Sequence, residues 1–315
     1  EVQAQVIPAA LAGGDLLVSS QTGSGKTAAF LLPLINQLIE DNPNGSPVPG
    51  RAQPKVLVLC PTRELAQQVA ADAVNLVRGM KGIRIATVMG GMPYGKQIQA
   101  IKGAMLVVAT PGRLLDLTDS KAIRLDDVKQ LVIDEADRML DMGFADDLEA
   151  IDKRCANRTQ TLMFSATFAP KIMSLANELT NNAKRIELAH AGEKHANIEQ
   201  KLHWADSMSH KHKLLEHILA DASLDQAVVF ASTQIESEKI ADTLRANGYE
   251  ASALHGAMPQ AVRMRRLESL RKGHTKILVA TDVAARGIDV PRISHVINFG
   301  LPMKPEDYTH RIGRT

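Results

Sequence analysis

Short, continuous apolar runs alternate with helical patterns along almost the whole chain, and this alternation constrains the fold more than any single residue does. "DLLVS", "KVLVLC", "RIATVM", "AMLVVAT", "QLVIDE" and "QTLMFSAT" read as strands, and between them segments such as "RELAQQVAADAVNLV" carry apolar residues at helical spacing. Strands apolar at consecutive positions are buried on both faces, which implies a mostly parallel sheet wrapped by helices. After "KRIEL" comes a polar stretch, "AHAGEKHANIEQ"; the pattern then restarts with "KLHWAD", a helix over "KHKLLEHILAD", and the runs "AVVFAS", "ASALHG", "ILVATD" and "HVINFG". At 315 residues the chain exceeds what one core usually fills. The expectation is two α/β domains, residues 1–189 and 200–315, joined by a linker over 190–199. The Pro- and Gly-rich stretch 41–54 predicts a mobile surface loop, and Pro33 predicts a kink or an early end in the helix that holds it.

Composition excludes more than it assigns. With 45% hydrophobic and 23% charged residues the chain reads as an ordinary soluble globular protein. Apolar runs such as "LVVA" are too short for a membrane span, so no membrane is expected and the cytoplasm is the expected compartment. Cys60 and Cys155 lack metal or disulfide spacing and read as buried, reduced thiols. His210, His212 and His217 are not at i, i+4 and read as solvated rather than as metal ligands. The net charge of +2 says little, but residues 255–315 hold eleven Lys/Arg against five Asp/Glu. On charge alone "RMRRLESLRK" is a solvated helix face or a phosphate-tracking surface. An aromatic content of 3% argues against recognition by stacked bases.

Chemistry enters with "SSQTGSGKT", residues 19–27, which departs from the usual phosphate-loop pattern because Ser20 stands where its first Gly is asked for. The stretch follows an apolar strand and opens a helix. Backbone N–H groups from Ser20 through Gln21, Thr22, Gly23, Ser24 and Gly25 would then face phosphates, with Lys26 on the β and γ oxygens and Thr27 on Mg²⁺. "LVIDEAD" supplies the acidic partner at a strand's carboxyl end: Asp134 for the metal, and Glu135 to position or deprotonate the attacking water. Thr62, Arg63, Thr110, Gly112 and Arg113 offer hydroxyl, guanidinium and backbone donors suited to phosphate oxygens, so binding should be largely independent of sequence. Pro61 and Pro111 sit where strands end, and Gly90, Gly91 and Gly112 permit close backbone approach. Taken alone, the Gly pair reads as loop punctuation. Ser165 and Thr167 lie near the acidic tetrad, able to hydrogen-bond Asp137 or simply to cap a helix.

These motifs, in this order, resemble the DEAD-box ATP-dependent RNA helicases of bacterial type almost from end to end. The fold implied is two RecA-like domains, each a mostly parallel sheet flanked by helices. "VQAQVIP" looks like the end of the family's adenine-reading segment, which implies that Gln3 reads the base. "SQTGSGKT" is similar to the family's phosphate loop, in which Ala usually stands at the Ser20 position. "PTRELAQQ", Gly90-Gly91 and "TPGR" match elements that hold RNA backbone. "DEAD" and "SAT" match those coupling hydrolysis to domain closure. In the second half "VVFAST", "QAVR", "ATDVAARGID" and "HRIGRT" follow. The resemblance implies RNA contacts at Gln260, Arg263 and Thr281, ribose binding at Asp289, and Arg286 and His310 in a coupling network with Asp137. Arg311 and Arg314 become the candidates for charge stabilisation from the second domain, a contribution of about 10³ or more in comparable systems.

The expected function is therefore an RNA-dependent ATPase, using ATP and Mg²⁺, that locally unwinds short RNA duplexes by closing two domains on single-stranded RNA. The alternatives are an ATP-gated RNA clamp or assembly platform and, less favoured by Gln3, "DEAD" and "HRIGR", a DNA helicase. The implied partners are RNA and proteins of ribosome assembly or RNA decay, with a monomer expected. Measured against the family's pattern the chain reads as a fragment of a longer protein, expected to bind ATP through Lys26 and to turn it over more slowly than an extended version.

Overall fold

A computed structural model describes residues 1–20, 24–45, 52–187, 198–285, 293–303 and 305–313. The chain divides into two compact units, Glu1–His190 and Ala191–Thr315. In the first, α1 (Val2–Leu11) leads into β1 (Leu16–Ser19), α2 (Lys26–Asp41), β2 (Val56–Leu59), α3 (Arg63–Leu76), β3 (Ile85–Val88) and α4 (Tyr94–Ile101). β4 (Leu106–Ala109), α5 (Pro111–Asp119), β5 (Gln130–Ile133), α6 (Ala136–Asp141), α7 (Ala145–Arg154), β6 (Gln160–Ser165), α8 (Pro170–Leu179) and β7 (Lys184–Glu187) complete it. The second runs α9 (Met208–Leu219), β8 (Gln226–Phe230), α10 (Gln234–Ala246), β9 (Ala251–Leu254), α11 (Gln260–Arg271), β10 (Ile277–Ala280), α12 (Asp282–Ala285), β11 (Ile293–Asn298) and α13 (Pro305–Ile312).

The first sheet has seven strands in the order β3-β4-β2-β5-β6-β1-β7, and the second has four in the order β11-β8-β10-β9. Every strand pairing is parallel, with register such as Val18 beside Phe164 and Ile186. The continuous apolar strands have a direct cause: alternate residues feed different cores. Leu16, Val18, Val56, Val58, Val132 and Phe164 pack with α1, α2 and α3 on one face, whereas Leu17, Leu57, Leu59, Ile133 and Met163 pack with α5 to α8 on the other. The second sheet does the same, with Val229 and Val279 in one cluster and Val228, Phe230 and Leu278 in another.

Phe164 is fully buried and its ring lies 5.3 Å from that of Phe30. Phe164→Ala is expected to destabilise the first unit by about 3–5 kcal/mol, because a cavity this deep in the sheet cannot collapse. The unfolding transition of that unit in urea checks it; a loss under 1 kcal/mol, on the order of one methylene, would mean the site repacks.

Two expectations need correction. Of the two outcomes expected at Pro33 the early end is excluded: α2 continues to Asp41, because Leu31, Leu34, Ile35 and Leu38 are buried around the proline and packing outweighs the lost N–H bond. "KLHWAD" forms no strand: it runs outside both sheets with Leu202 and Trp204 79% and 84% exposed, since an extended stretch becomes a strand only where a ladder accepts it. The linker at 190–197 and the loop tip at 46–51 fall outside the described residues. Both cysteines are buried; burial pushes the Cys155 thiol up to about 12, and burial beside Asp134 and Glu135 pushes that of Cys60 well above its usual value. Among the described residues no helix is long and apolar enough to cross a membrane.

Candidate functional site

Because all seven strands of the first sheet run the same way, their carboxyl ends share one edge, where open α/β sheets take their ligands. Strand order divides that edge. The ends of β5, β6 and β1 bring together Asp134, Ser165 and the loop into Lys26, while those of β3, β4 and β2 bring together Gly90, Thr110 and Thr62.

On the first half, Lys26 opens α2 and is buried, with Nζ 2.7 Å from Asp134 Oδ1 and 3.6 Å from Glu135 Oε1. Gly25 before it has φ +83°, the left-handed region that favours glycine, and Gln3 Nε2 donates to its carbonyl at 3.3 Å. A Cβ at Gly25 would meet Gln3 Nε2 at 2.8 Å, so the Gln3 side chain lies against the start of α2. Asp134 is 0% exposed, and its amide donates to the Leu59 carbonyl of neighbouring β2. Glu135 caps α6 at φ +54°, a conformation a glutamate adopts only where the surroundings hold it. Its Oε2 accepts from Arg138 Nη1 at 2.7 Å, so the carboxylate sits between two cations.

The electrostatics follow from burial. Desolvation acts to lower the Lys26 ammonium, but Asp134 and Glu135 outweigh it and hold the group above its ordinary value. Desolvation raises Asp134; Lys26 opposes and Glu135 adds, leaving the carboxyl above its ordinary value. The two differ in sign for stability. The Lys26 contribution is fully present below the ordinary lysine value and lost as pH rises through the folded one, whereas charged Asp134 is a cost at neutral pH, relieved as pH falls.

Among the described residues no cluster of His, Cys, Asp and Glu could hold a metal by itself. Mg²⁺ does not ask for one, since it takes one or two carboxylates plus substrate phosphate oxygens and water. The donors fit: among the described residues Asp134 Oδ2 and the hydroxyls of Ser20 and Ser24 are buried and without hydrogen-bond partners, hard oxygens of the kind Mg²⁺ takes. Gln21, Thr22 and Gly23 lie outside the described residues.

Ser165 does not donate to Asp137 as anticipated. Its only O–H goes to the Thr167 carbonyl at 2.6 Å within the same turn, and Asp137 accepts the Arg138 amide. The Ser165 carbonyl accepts the Ser20 amide, tying β6 to the residue that follows β1.

The other half of the edge is built around Gly90 and Gly91. Buried Gln97 grips this loop through Met89 N and Met92 O. Arg113 Nη1 also donates to Met92 O, at 2.9 Å, and its guanidinium lies 4.0 Å from the Tyr94 ring, so Arg113 is first a brace for the loop. Arg63 Nη2 lies 3.0 Å from where a Cβ at Gly90 would stand, which places the mobile end of Arg63 beside this loop. Thr62 is the N-cap of α3, accepting from Leu65 N, and Thr110 precedes Pro111 at the first turn of α5. Gly112 follows on that same turn.

A model of the DEAD/DEAH box helicases matches residues 1–175, and a model of the helicase conserved C-terminal domain matches residues 210–315. The chain belongs to the DEAD/DEAH box helicases. It is similar to ATP-dependent RNA helicase RhlB of Pseudomonas putida, 42% identical over 318 residues that cover 100% of this chain and 79% of the relative. ATP-dependent RNA helicase DeaD of Haemophilus influenzae is 41% identical over 315 residues, and there the chain spans 50% of the relative's length. A solved S. cerevisiae Dbp5 bound to RNA and ADP BeF3 superimposes with TM-score 0.85 at 30% identity, over 100% of this chain and 80% of that one.

In the second unit of this DEAD/DEAH box chain, the structure corrects one assignment. Arg311 was expected to face phosphate; it is instead 1% exposed. Its Nε and Nη2 grip Asp282 at 2.6 Å each, its Nη1 donates to Asn298 Oδ1 and the Gly300 carbonyl, and the guanidinium lies 4.8 Å from the Phe230 ring. Its donors are committed to its own unit, so it holds structure rather than substrate. Arg263 is likewise buried and partnered, while Arg266 turns inward to the Ala253 carbonyl, so the basic run on α11 is only partly a surface. Gln260 begins that helix, and Thr281, nearly buried, precedes α12. His212 packs against Phe299 rather than lying fully in solvent. Arg286, Asp289 and Arg314, and the side chain of His310, lie outside the described residues.

Sequence reasoning missed Arg138 and Asp282. Arg138 had a legible signal, its i, i+3 spacing from Glu135 on a helix.

Proposed function

We propose that the chain is an RNA-stimulated ATPase that locally unwinds short RNA duplexes by ATP-driven closure of two domains, residues 1–189 and 200–315 about a linker at 190–199, on single-stranded RNA. One observation carries this reading: a single sheet edge holds the buried Lys26–Asp134 pair with Glu135 and, on adjoining strands, the donors Thr62, Arg63, Thr110 and the braced Gly90-Gly91 loop. Relatives named as ATP-dependent RNA helicases support it.

In this reading Lys26 turns from Asp134 to the β and γ oxygens of ATP, and Gln3 selects the adenine. Glu135, oriented by Arg138, positions the attacking water and takes its proton. Asp134 and Thr27 would hold Mg²⁺, which supplies charge neutralisation to the phosphates when bound. The backbone-directed donors bind RNA of any sequence, and Asp289, Arg286, His310 and Arg314 complete the site from the second domain. The expected compartment stays the cytoplasm, with partners of ribosome assembly or RNA decay.

The test is ATP turnover with and without single-stranded RNA, followed by strand separation of a short duplex. Turnover rises several-fold with RNA, and the duplex separates only with hydrolysable ATP. Long RNA residence under a non-hydrolysable analogue with no strand separation would replace this reading by that of a clamp, and equal stimulation by DNA would remove the 2′-OH preference.

A further inference from the structure

The helix that follows Gly90 and Gly91 starts with an aromatic side chain in the open. Tyr94 is 46% exposed, whereas Phe30 and Phe164 are fully buried and Phe144 and Phe168 partly so; among the described residues of the first unit it is the one exposed aromatic. An exposed side chain ordinarily samples several rotamers, but this ring is held from two sides. Its hydroxyl donates to Asp116 Oδ2 at 2.9 Å, and the Arg113 guanidinium lies 4.0 Å from the ring centroid. Arg113 is fixed in turn by the Met92 carbonyl at 2.9 Å and by Asp116 at 3.6 Å. Tyr94 opens α4 and its two partners stand on α5, so the ring bridges the helices that follow β3 and β4. The ordering that a ligand would otherwise have to impose is already in place. A free carboxylate here would repel phosphate, but Asp116 accepts the phenol and lies beside a guanidinium. The hydrogen bond to Asp116 holds the phenol above its ordinary value, so the ring is neutral. With one face against Arg113, the exposed remainder of the ring can take a base, completing a stack of guanidinium, phenol and base.

We propose that Tyr94 is a stacking platform for one base of single-stranded RNA, on the same half of the sheet edge as Thr62, Arg63 and Thr110. This rests on the function proposed above and goes beyond it: those donors address the backbone, whereas the ring addresses the face of a base. Every base has a π-face, so the contact adds affinity without choosing a sequence. The low aromatic content of the chain is no obstacle, because one ring suffices where the fold has already placed it beside the strand.

The experiment measures binding of the whole chain, with a non-hydrolysable ATP analogue, to a short single-stranded RNA and to the same ribose-phosphate backbone carrying no bases. Wild type, Tyr94→Leu and Tyr94→Phe are compared across a salt series, with thermal unfolding of each. Tyr94→Leu weakens binding of intact RNA by about tenfold, the scale of one stacked base, and leaves binding of the base-free backbone unchanged. The dependence of affinity on salt stays that of wild type, because stacking releases no counterions. Tyr94→Phe keeps the ring and its Arg113 contact and binds intact RNA like wild type. Equal binding of intact RNA by wild type and Tyr94→Leu overturns the inference. So does an equal loss on both probes or a shallower salt dependence, either of which means that the ring serves only to hold Arg113. A loss in Tyr94→Phe matching that in Tyr94→Leu overturns it too, since the hydroxyl would then be the cause. If Tyr94→Leu fails to fold, ultraviolet crosslinking of wild type to the intact RNA decides: a base attached at Tyr94 upholds the inference, and attachment elsewhere alone overturns it. A wild-type chain that binds neither probe instead overturns the function on which the inference rests, and this inference with it.

Discussion

Lys26→Ala is expected to reduce RNA-stimulated ATP turnover by about a thousandfold, the scale of losing a buried charge aimed at developing negative charge. Two losses combine. The phosphates lose an ammonium already desolvated at the start of α2, and Asp134 loses the cation that opposes its burial. Removing one partner of a buried ion pair costs about 3–5 kcal/mol, because the remaining charge is left without compensation. Lys26→Met, which keeps most of the volume, separates the effects: binding of a fluorescent ATP analogue reports the phosphate contact and urea unfolding the fold. Turnover within tenfold of wild type, with ATP affinity retained, would exclude Lys26 from the site.

Glu135→Gln is expected to lower hydrolysis by about 10² to 10⁴-fold, the range for removing a general base, while leaving ATP and RNA bound. The amide keeps the shape of the carboxylate and an oxygen for the Arg138 Nη1 donor, now 2.7 Å away, so the left-handed turn at the start of α6 stays supported. The variant cannot accept the water's proton. In the proposed cycle hydrolysis opens the closed domains, so RNA should dissociate more slowly from Glu135→Gln with ATP than from wild type. Single-turnover hydrolysis and RNA dissociation rates check both halves. Hydrolysis at the wild-type rate would move the base elsewhere.

What could be read from the sequence was whatever depends on near neighbours. Ten apolar runs became strands because runs such as "VLVL" feed cores on both faces at once, and Lys26, Asp134 and Gly90 arrived together because each follows a strand of one parallel sheet. Illegible features were settled far along the chain. Whether the Arg311 guanidinium faces a cleft or a core is decided by Asp282, 29 residues away, and by Asn298, 13 away. "KLHWAD" alternates like a strand, but pairing depends on a neighbour that its own residues do not specify. Pro33 broke a local rule that tertiary burial overrode.

The order of strands along the first sheet also sets how far apart the two halves of the candidate site stand. Lys26 follows β1 and Thr62 follows β2, and between those strands stand only β6 and β5. Three strand spacings amount to roughly 14 Å, and the one nearest Thr62, between β2 and β5, is crossed by the amide of Asp134 resting on the carbonyl of Leu59. If nucleotide and RNA take the two halves of this edge as proposed, a single elongated inhibitor seated on it competes with both, a pharmacological consequence of nothing more than the sequence of crossovers.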